Sequence, residues 1–289
     1  MQTDAFFVIG ASHSQGGKPC QDYAVSGILP DGSAYAVVSD GCSTGGRTDV
    51  GSRLVALSMA QAIQQQLTTS KHVKAKYRIE QLAMQQRFVA ASSGNMLGCI
   101  NDDLLATCLY VYASPKGGFA HIRGDGILAW QEFDGSIKAI RFDWNPDNPS
   151  SAAPFYPAYA ADNCAGFVAY YGGDLDAIVL RSEQWEMLAG ETEFVLAETV
   201  DYTLSQGIRG PVVPLTPDMK FVAVFTDGVT QIEGVDWKDA VAQLLSFKTT
   251  AGDFAKRRMN RVVRESQKIG HGPLDDLAYA VVYQDNEES

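Results

Sequence analysis

The sequence predicts a mixed α and β fold, and three observations carry that prediction. Stretches with strand character alternate with stretches of helical periodicity along the whole chain. The chain has 289 residues, 46% of them hydrophobic, enough to bury a sizeable core. No internal repeat and no Pro/Gly/Ser-rich linker divides it, so residues 1–289 read as one domain.

In chain order, residues 5–11 read as a first strand, followed by a Gly-rich loop that ends at Pro19. Residues 25–29 and 34–39 read as a hairpin around the turn Pro30-Asp31-Gly32-Ser33, and the short connections place all three strands as neighbours in one sheet. Val55, Met59, Ala62 and Ile63 recur at helical spacing and predict a helix over 48–67. Leu82, Met84, Phe88 and Val89 predict a second over 79–92. Residues 104–113, 118–124 and 127–133 read as a three-stranded meander, and 145–157 as a loop. Farther on, 177–180, 194–199, 221–225 and 277–283 read as strands, and 237–247 and 254–268 as helices.

The formal net charge of −11 argues against nucleic acid or an anionic membrane as a partner, since no basic patch offsets it. Lys256, Arg257, Arg258, Arg261 and Arg264 share their helix with Asp253 and Glu265 and read as a solvated face. Five cysteines at wide spacings, without a C-x-x-C pair, point to neither a zinc knuckle nor a disulfide framework. The first residues lack the pattern of a signal peptide, and no apolar run is long enough to span a bilayer, so the expected location is the cytoplasm.

The chemistry lies in a recurring local pattern: an apolar strand ends in Asp-Gly and the chain turns away. It occurs at Val37-Val38-Ser39-Asp40-Gly41, at Val224-Phe225-Thr226-Asp227-Gly228 and, more weakly, at Arg123-Gly124-Asp125-Gly126. A single Asp-Gly is more often a plain turn, as at Asp31 and Asp134. Asp40 and Asp227 differ in following a long apolar strand and leaving by a path other than a hairpin. Gln21-Asp22 opens a strand and Asp275-Asp276 precedes the last one. Carboxylates at strand ends without a His or Cys cluster favour a hard cation, Mg²⁺ or Mn²⁺.

These motifs, in this order, resemble the type 2C, metal-dependent (PPM) family of protein Ser/Thr phosphatases, particularly its bacterial branch. Ser12-His13 through Pro19-Cys20-Gln21-Asp22 is similar to the first motif and Val37 to Gly41 to the second. Leu105-Ala106-Thr107-Cys108-Leu109 is similar to the Ser/Ala-Thr strand, and Gly124-Asp125-Gly126 to the Gly-Asp-Ser turn. Phe225-Thr226-Asp227-Gly228-Val229 and Asp275-Asp276-Leu277-Ala278 are similar to the two late motifs. Residues 143–198 carry none of the resemblance.

The resemblance implies an α+β fold: a four-layer αββα sandwich of two antiparallel sheets flanked by helices, with metals in a cleft at one end. It implies two divalent cations, Mn²⁺ or Mg²⁺, bridged by Asp40, with the Gly41 carbonyl on one of them. Asp227 and Asp275 would hold the first and Asp22 would stand next to the second, while Asp125 would help hold a weaker third. Asp275 is preferred to Asp276, which falls where many relatives have Asn. The implied reaction is hydrolysis of phosphoserine and phosphothreonine in a phosphorylated protein by a metal-bridging hydroxide, opposing a Ser/Thr kinase. The catalytic set is then Asp22, Asp40 and Lys18. Lys18 is the nearest basic residue to the place of an arginine that grips phosphate in better-known members, and it lacks the bidentate fork. Cys42 stands where some members have a general-acid histidine. These departures leave an alternative: a catalytically weak or silent relative that binds a phosphoprotein or another ligand.

Overall fold

The computed structural model describes residues 1–69, 75–148, 153–162, 164–206 and 210–285. Strand β1 (Gln2–Val8) leads through a short helix α1 (Ala11–Gln15) to the hairpin β2 (Tyr23–Ile28) and β3 (Ala34–Ser39). Two long helices follow, α2 (Thr48–Thr69) and α3 (Ala75–Met96). Then come β4 (Cys108–Ser114), β5 (Gly117–Arg123), β6 (Gly126–Glu132) and β7 (Ile137–Trp144). After α4 (Ala165–Tyr170) the chain forms β8 (Val179–Met187), β9 (Val195–Thr203), β10 (Val212–Leu215) and β11 (Met219–Phe225). Helices α5 (Trp237–Leu245) and α6 (Phe254–Lys268) precede the last strand, β12 (Leu277–Tyr283).

The strands build two antiparallel sheets. One has seven strands in the order β1-β12-β11-β6-β7-β8-β9, and the other five in the order β10-β5-β4-β3-β2. Side chains alternate across each strand, and in the central strands β3, β4, β11 and β12 both faces are buried because both are covered. Ala36 and Val38 of β3, Leu109 and Val111 of β4, Leu128 of β6, Val222 and Val224 of β11 and Ala280 of β12 meet in a core between the sheets. The other face of the five-stranded sheet, with Tyr35, Val37 and Tyr110, packs under Val55, Met59 and Ile63 of α2. The other face of the seven-stranded sheet, with Phe225 and Tyr279, packs under Val241 and Leu244 of α5 and Met259 and Val262 of α6. The result is the four-layer αββα arrangement.

Five expectations from the sequence change. Strand β1 ends at Val8 and belongs to the seven-stranded sheet, paired with β12, so it is not a sheet neighbour of β2 and β3. Ala11, expected in that strand, begins α1, which turns the chain from one sheet toward the other. The meander also divides: β4 and β5 pair in one sheet, while β6 pairs with β7 and β11 in the other, so the chain crosses between layers at Gly124-Asp125. Residues 104–107 precede β4, with a 3₁₀ turn at Asn101–Leu104. Finally, the buried stripe of α3 is Leu82, Gln86 and Ala90, whereas Met84 and Phe88 are 62% and 72% exposed. A buried Gln in the stripe hid the period from the apolar pattern. Strands β7 and β10, which had no prediction, complete the sheets.

Leu128 lies at the centre of the inter-sheet core at 1% exposure. Leu128→Ala is expected to cost about 2–5 kcal/mol through lost transfer energy and a residual cavity. An unfolding free energy from denaturant titration that falls by less than about 0.5 kcal/mol would contradict the packing described.

Candidate metal centre

Antiparallel pairing sets the site. It places the start of one strand beside the end of its neighbour. Tyr23 of β2 pairs with Ser39 of β3, so Asp22 and Asp40 emerge side by side and share a side-chain hydrogen bond. Phe225 of β11 pairs with Tyr279 of β12, so Asp227 emerges beside the Asp275-Asp276 pair. Ile127 at the start of β6 pairs with Phe225, which brings Asp125 to the same end. Charge contacts follow this geometry. Asp227 acts on Asp22, Asp40 and Asp125, and Asp275 acts on Asp227. Asp22 is buried, while Asp40, Asp125 and Asp227 keep a partly accessible edge.

Neighbouring polar groups hold these strand ends. Thr107 Oγ1 accepts from the Asp40 backbone N–H at 2.9 Å, and the Thr107 N–H donates to the Asp40 carbonyl at 2.8 Å. Thr226 Oγ1 donates to Asp22 Oδ2 at 2.6 Å and accepts from the Ala278 N–H at 2.9 Å, joining the two sheets. Gly41 donates its N–H to the Gln21 carbonyl and forms a bridge with Ala106, and the Gln21 side chain donates to Thr48 Oγ1 at 2.7 Å. Gly124 and Gly126 flank Asp125 at φ of +126° and +127°, a region L residues rarely adopt, and this lets the chain cross between layers with Asp125 at the crossing.

The paired aspartates divide their tasks. Asp276 accepts from the Gly10 N–H at 2.8 Å, the Gln21 N–H at 2.6 Å and His13 Nδ1 at 2.8 Å. His13, Asp275 and Asp276 each offer a ligand atom within 4.8 Å of one another. The three donors already on Asp276 make that group a hydrogen-bonded clamp on the first motif rather than a set of open ligands. Asp275 accepts from Gln231 Nε2 at 3.0 Å and from the Asp276 N–H at 2.8 Å, and it faces Asp227.

Lys18 is exposed on the loop after α1, its N–H bonded to the His13 carbonyl at 2.9 Å. Cys42 is half-buried; its thiol lies 3.3 Å from Thr44 Oγ1 and also bonds the Tyr156 side chain. Sequence reasoning missed Tyr156, whose ring lies near Asp40 and Asp125, and the Asp143–Arg141 pair on β7. Arg141 grips Asp143 at 2.8 Å and 3.0 Å, and both charges reach Asp125 and Asp227. Asp143 is the penultimate residue of β7 and is followed by Trp144 instead of Gly, so the Asp-Gly pattern does not find it.

Residues 9–145 match the family model described as Protein phosphatase 2C. The resemblance to this family covers just under half of the chain. The match spans Asp22, Asp40 and Asp125 and ends before Asp227 and Asp275. The type 2C fold extends over the rest. A serine/threonine phosphatase of Staphylococcus aureus superposes with a TM-score of 0.53 at 10% identity, over 99% of this chain and 96% of that one. A bacterial serine phosphatase superposes with a TM-score of 0.54 at 10% identity, over 100% of both chains. At such identity these structures share the fold alone. No curated protein matches the sequence.

The electrostatics of this site are those of crowded, buried carboxylates. Burial, then the charge of Asp227, pushes Asp125 well above the ordinary carboxylate range, and burial with Asp22 does the same to Asp40. Burial raises Asp22 to about 8, with Asp40 and Thr226 pulling down and Asp227 pushing up. Burial and Asp275 raise Asp227 to about 6. Asp125 Oδ1 is buried without a hydrogen-bond partner. An unpaired buried oxygen among crowded carboxylates fits a hard divalent cation, which favours all-oxygen ligands. Asp22, Asp40, Asp125, Asp227, Asp275 and the Gly41 carbonyl are the groups that would hold one or more.

In metal-free protein both groups with a stated value titrate above the unfolded value of about 3.9. Their protonated forms therefore stabilise the fold fully below about pH 4, and this contribution disappears as pH rises to about 8. Melting temperature in chelator is expected to fall across that window, and to fall less in Asp22→Asn. Added Mn²⁺ should stabilise more at pH 8 than at pH 5, because the ligands must be deprotonated. Parallel melting curves for wild type and variant would rule out this coupling.

Asp276→Ala leaves three donors without their acceptor and is expected to cost about 2–4 kcal/mol. Amide exchange should rise at Gly10 and Gln21 before it rises in β12. Uniform exchange would show that Asp276 is no clamp.

Proposed function

We propose that this protein is a metal-dependent protein Ser/Thr phosphatase that hydrolyses phosphoserine and phosphothreonine in a protein substrate, opposing a kinase in the cytoplasm. The convergence of Asp22, Asp40, Asp125, Asp227 and Asp275 at one end of a type 2C sandwich carries this reading. Residues 1–289 are read as one such catalytic domain.

Two divalent cations, Mn²⁺ or Mg²⁺, would lower the pKa of an attacking water and neutralise charge on the phosphoryl oxygens when bound. The chain's own task is positioning. Asp40, fixed by Thr107, would bridge the ions with the Gly41 carbonyl beside it. Asp22, oriented by Thr226, would stand on the side of the five-stranded sheet, with Asp227 and Asp275 on the other. Asp125 would help hold a weaker third ion. Lys18, on the exposed loop preceding Asp22, offers the phosphate a point charge. Proton delivery to the leaving seryl oxygen falls to solvent, because Cys42 is engaged by Thr44 and Tyr156.

Cys42 also motivates the second reading, a weak or silent relative that binds phosphoprotein without turnover. Mn²⁺-dependent hydrolysis of an aryl phosphate and of a phosphothreonine peptide separates the two. Asp40→Asn is expected to lower turnover by about 10²–10³-fold, the scale of losing a preorganised electrostatic group. Undetectable turnover by wild type, with Mn²⁺ binding intact by calorimetry, would favour the silent relative. Turnover indifferent to chelator and to Asp40→Asn would defeat both.

A further inference from the structure

Helix α3 turns an apolar stripe to solvent. Met84 and Phe88 stand mostly in water, one turn apart, and neither joins a core cluster among the described residues. Gln81 and Asn95 are exposed and Ser92 is half-buried. At about 100° per residue, these five side chains leave the helix within about 40° of one direction, centred on Phe88. Between Gln81 and Asn95 the one charged residue is Arg87, and it leaves the helix about 100° from that centre. Gln85 joins α3 to Gln65 and Gln66 of α2, and Gln61 and Gln65 of α2 are exposed and uncharged too. The other helical layer differs: α6 exposes Lys256, Arg261, Arg264 and Glu265, as a solvated helix does.

An exposed apolar stripe is informative where a single exposed apolar residue is not. Phe and Met without charge are the composition of an interface core. Two observations point to a second copy of this chain as the occupant. The first is charge. Each chain carries a net −11, so two copies repel over most approaches, and least where the surface is uncharged. The second is the symmetry of the stripe. In a contact about a two-fold axis, each residue meets the one equally far along the copy on the other side of the axis. With the axis at Phe88, the two Phe88 rings meet, Met84 meets Ser92 of the copy, and Gln81 meets Asn95 of the copy. Large faces small, amide faces amide, and the aromatic pair lies at the centre. Arg87 falls opposite Val89 of the copy, so no like charges are opposed.

We propose that two copies of this chain associate through α3, antiparallel about a two-fold axis at Phe88. From Gln81 to Asn95 the helix rises about 21 Å at 1.5 Å per residue. A contact of that length covers a few hundred square ångströms on each copy, which places the dimer in the weak, dissociable class. The association is independent of the phosphatase reading, because no residue of the carboxylate cluster takes part in it.

Sedimentation of the full chain, from micromolar to submillimolar concentration, is expected to show a mass rising from 31.2 kDa toward twice that value. Added NaCl should strengthen the association, since it screens the repulsion between two acidic bodies, whereas a contact built on opposite charges would weaken. Phe88→Glu sets two like charges at the axis and should keep the chain monomeric throughout. Its melting temperature should match that of wild type at dilution, because Phe88 lies outside the core clusters. Register is read separately. In an equal mixture of Gln81→Cys and Asn95→Cys chains under mild oxidation, the mixed disulfide should form several-fold faster than either homodisulfide. This second measurement leaves Phe88 in place, so it decides the matter if Phe88→Glu destabilises the fold. A chain that stays monomeric at every concentration and salt leaves the stripe to a different partner and overturns the proposal. So does a dimer that survives Phe88→Glu, or crosslinking without preference for the mixed pair.

Discussion

Like charges brought to one end of a sandwich repel, and the rest of the molecule is arranged around that repulsion. Antiparallel pairing leaves no freedom in the matter. Once β2 pairs with β3 and β11 with β12, the aspartates that begin and end those strands are neighbours. Burial then makes their ionised forms expensive. Thr107 and Thr226 fix the backbone and one carboxylate without neutralising any charge. Arg141 brings a cation to the rim, already shared with Asp143. The remaining deficit of positive charge is what a divalent ion would supply.

The adjacent pair Asp275-Asp276 shows how one dipeptide serves two ends. Both residues precede β12, Asp275 in a bend, and their side chains take different partners. Asp276 turns back to the first motif and ties Gly10, His13 and Gln21 to the start of β12, although some 250 residues separate them in sequence. Asp275 faces Asp227 and the cleft. The identity of the clamp residue therefore matters through what it positions: Gln21 precedes Asp22, and its backbone N–H is held by the clamp while its side chain reaches Thr48 at the start of α2.

Much of this was legible in the sequence. Strands buried on both faces read as continuous apolar runs, so β3, β11 and β12 are plain, and an Asp at the end of such a run without a hairpin turn marks a carboxylate on a rigid support. Four things were not legible. The partner of β1 is the last strand, and short loops favoured its nearer neighbours instead. The crossing at Gly124-Asp125-Gly126 looks like any turn, because nothing local says that successive strands lie in different sheets. The inward face of α3 contains Gln86 while Met84 and Phe88 lie outside, so hydrophobic spacing chose the wrong face. Asp143, Arg141 and Tyr156 reach the cleft from a region whose motifs are not distinctive, and only tertiary packing gathers them.

The proposed ligands are shared out between the layers. Asp22 and Asp40 extend from the five-stranded sheet, Asp227 and Asp275 from the seven-stranded sheet, and Asp125 from the strand link between them. An ion gripped from both sides would act as a rivet through the sandwich, resisting shear of one sheet across the other. Stripping it would leave that end joined by Thr226, the Asp276 clamp and apolar contact. Sliding of the layers and loss of the ion would then be one motion seen from two directions.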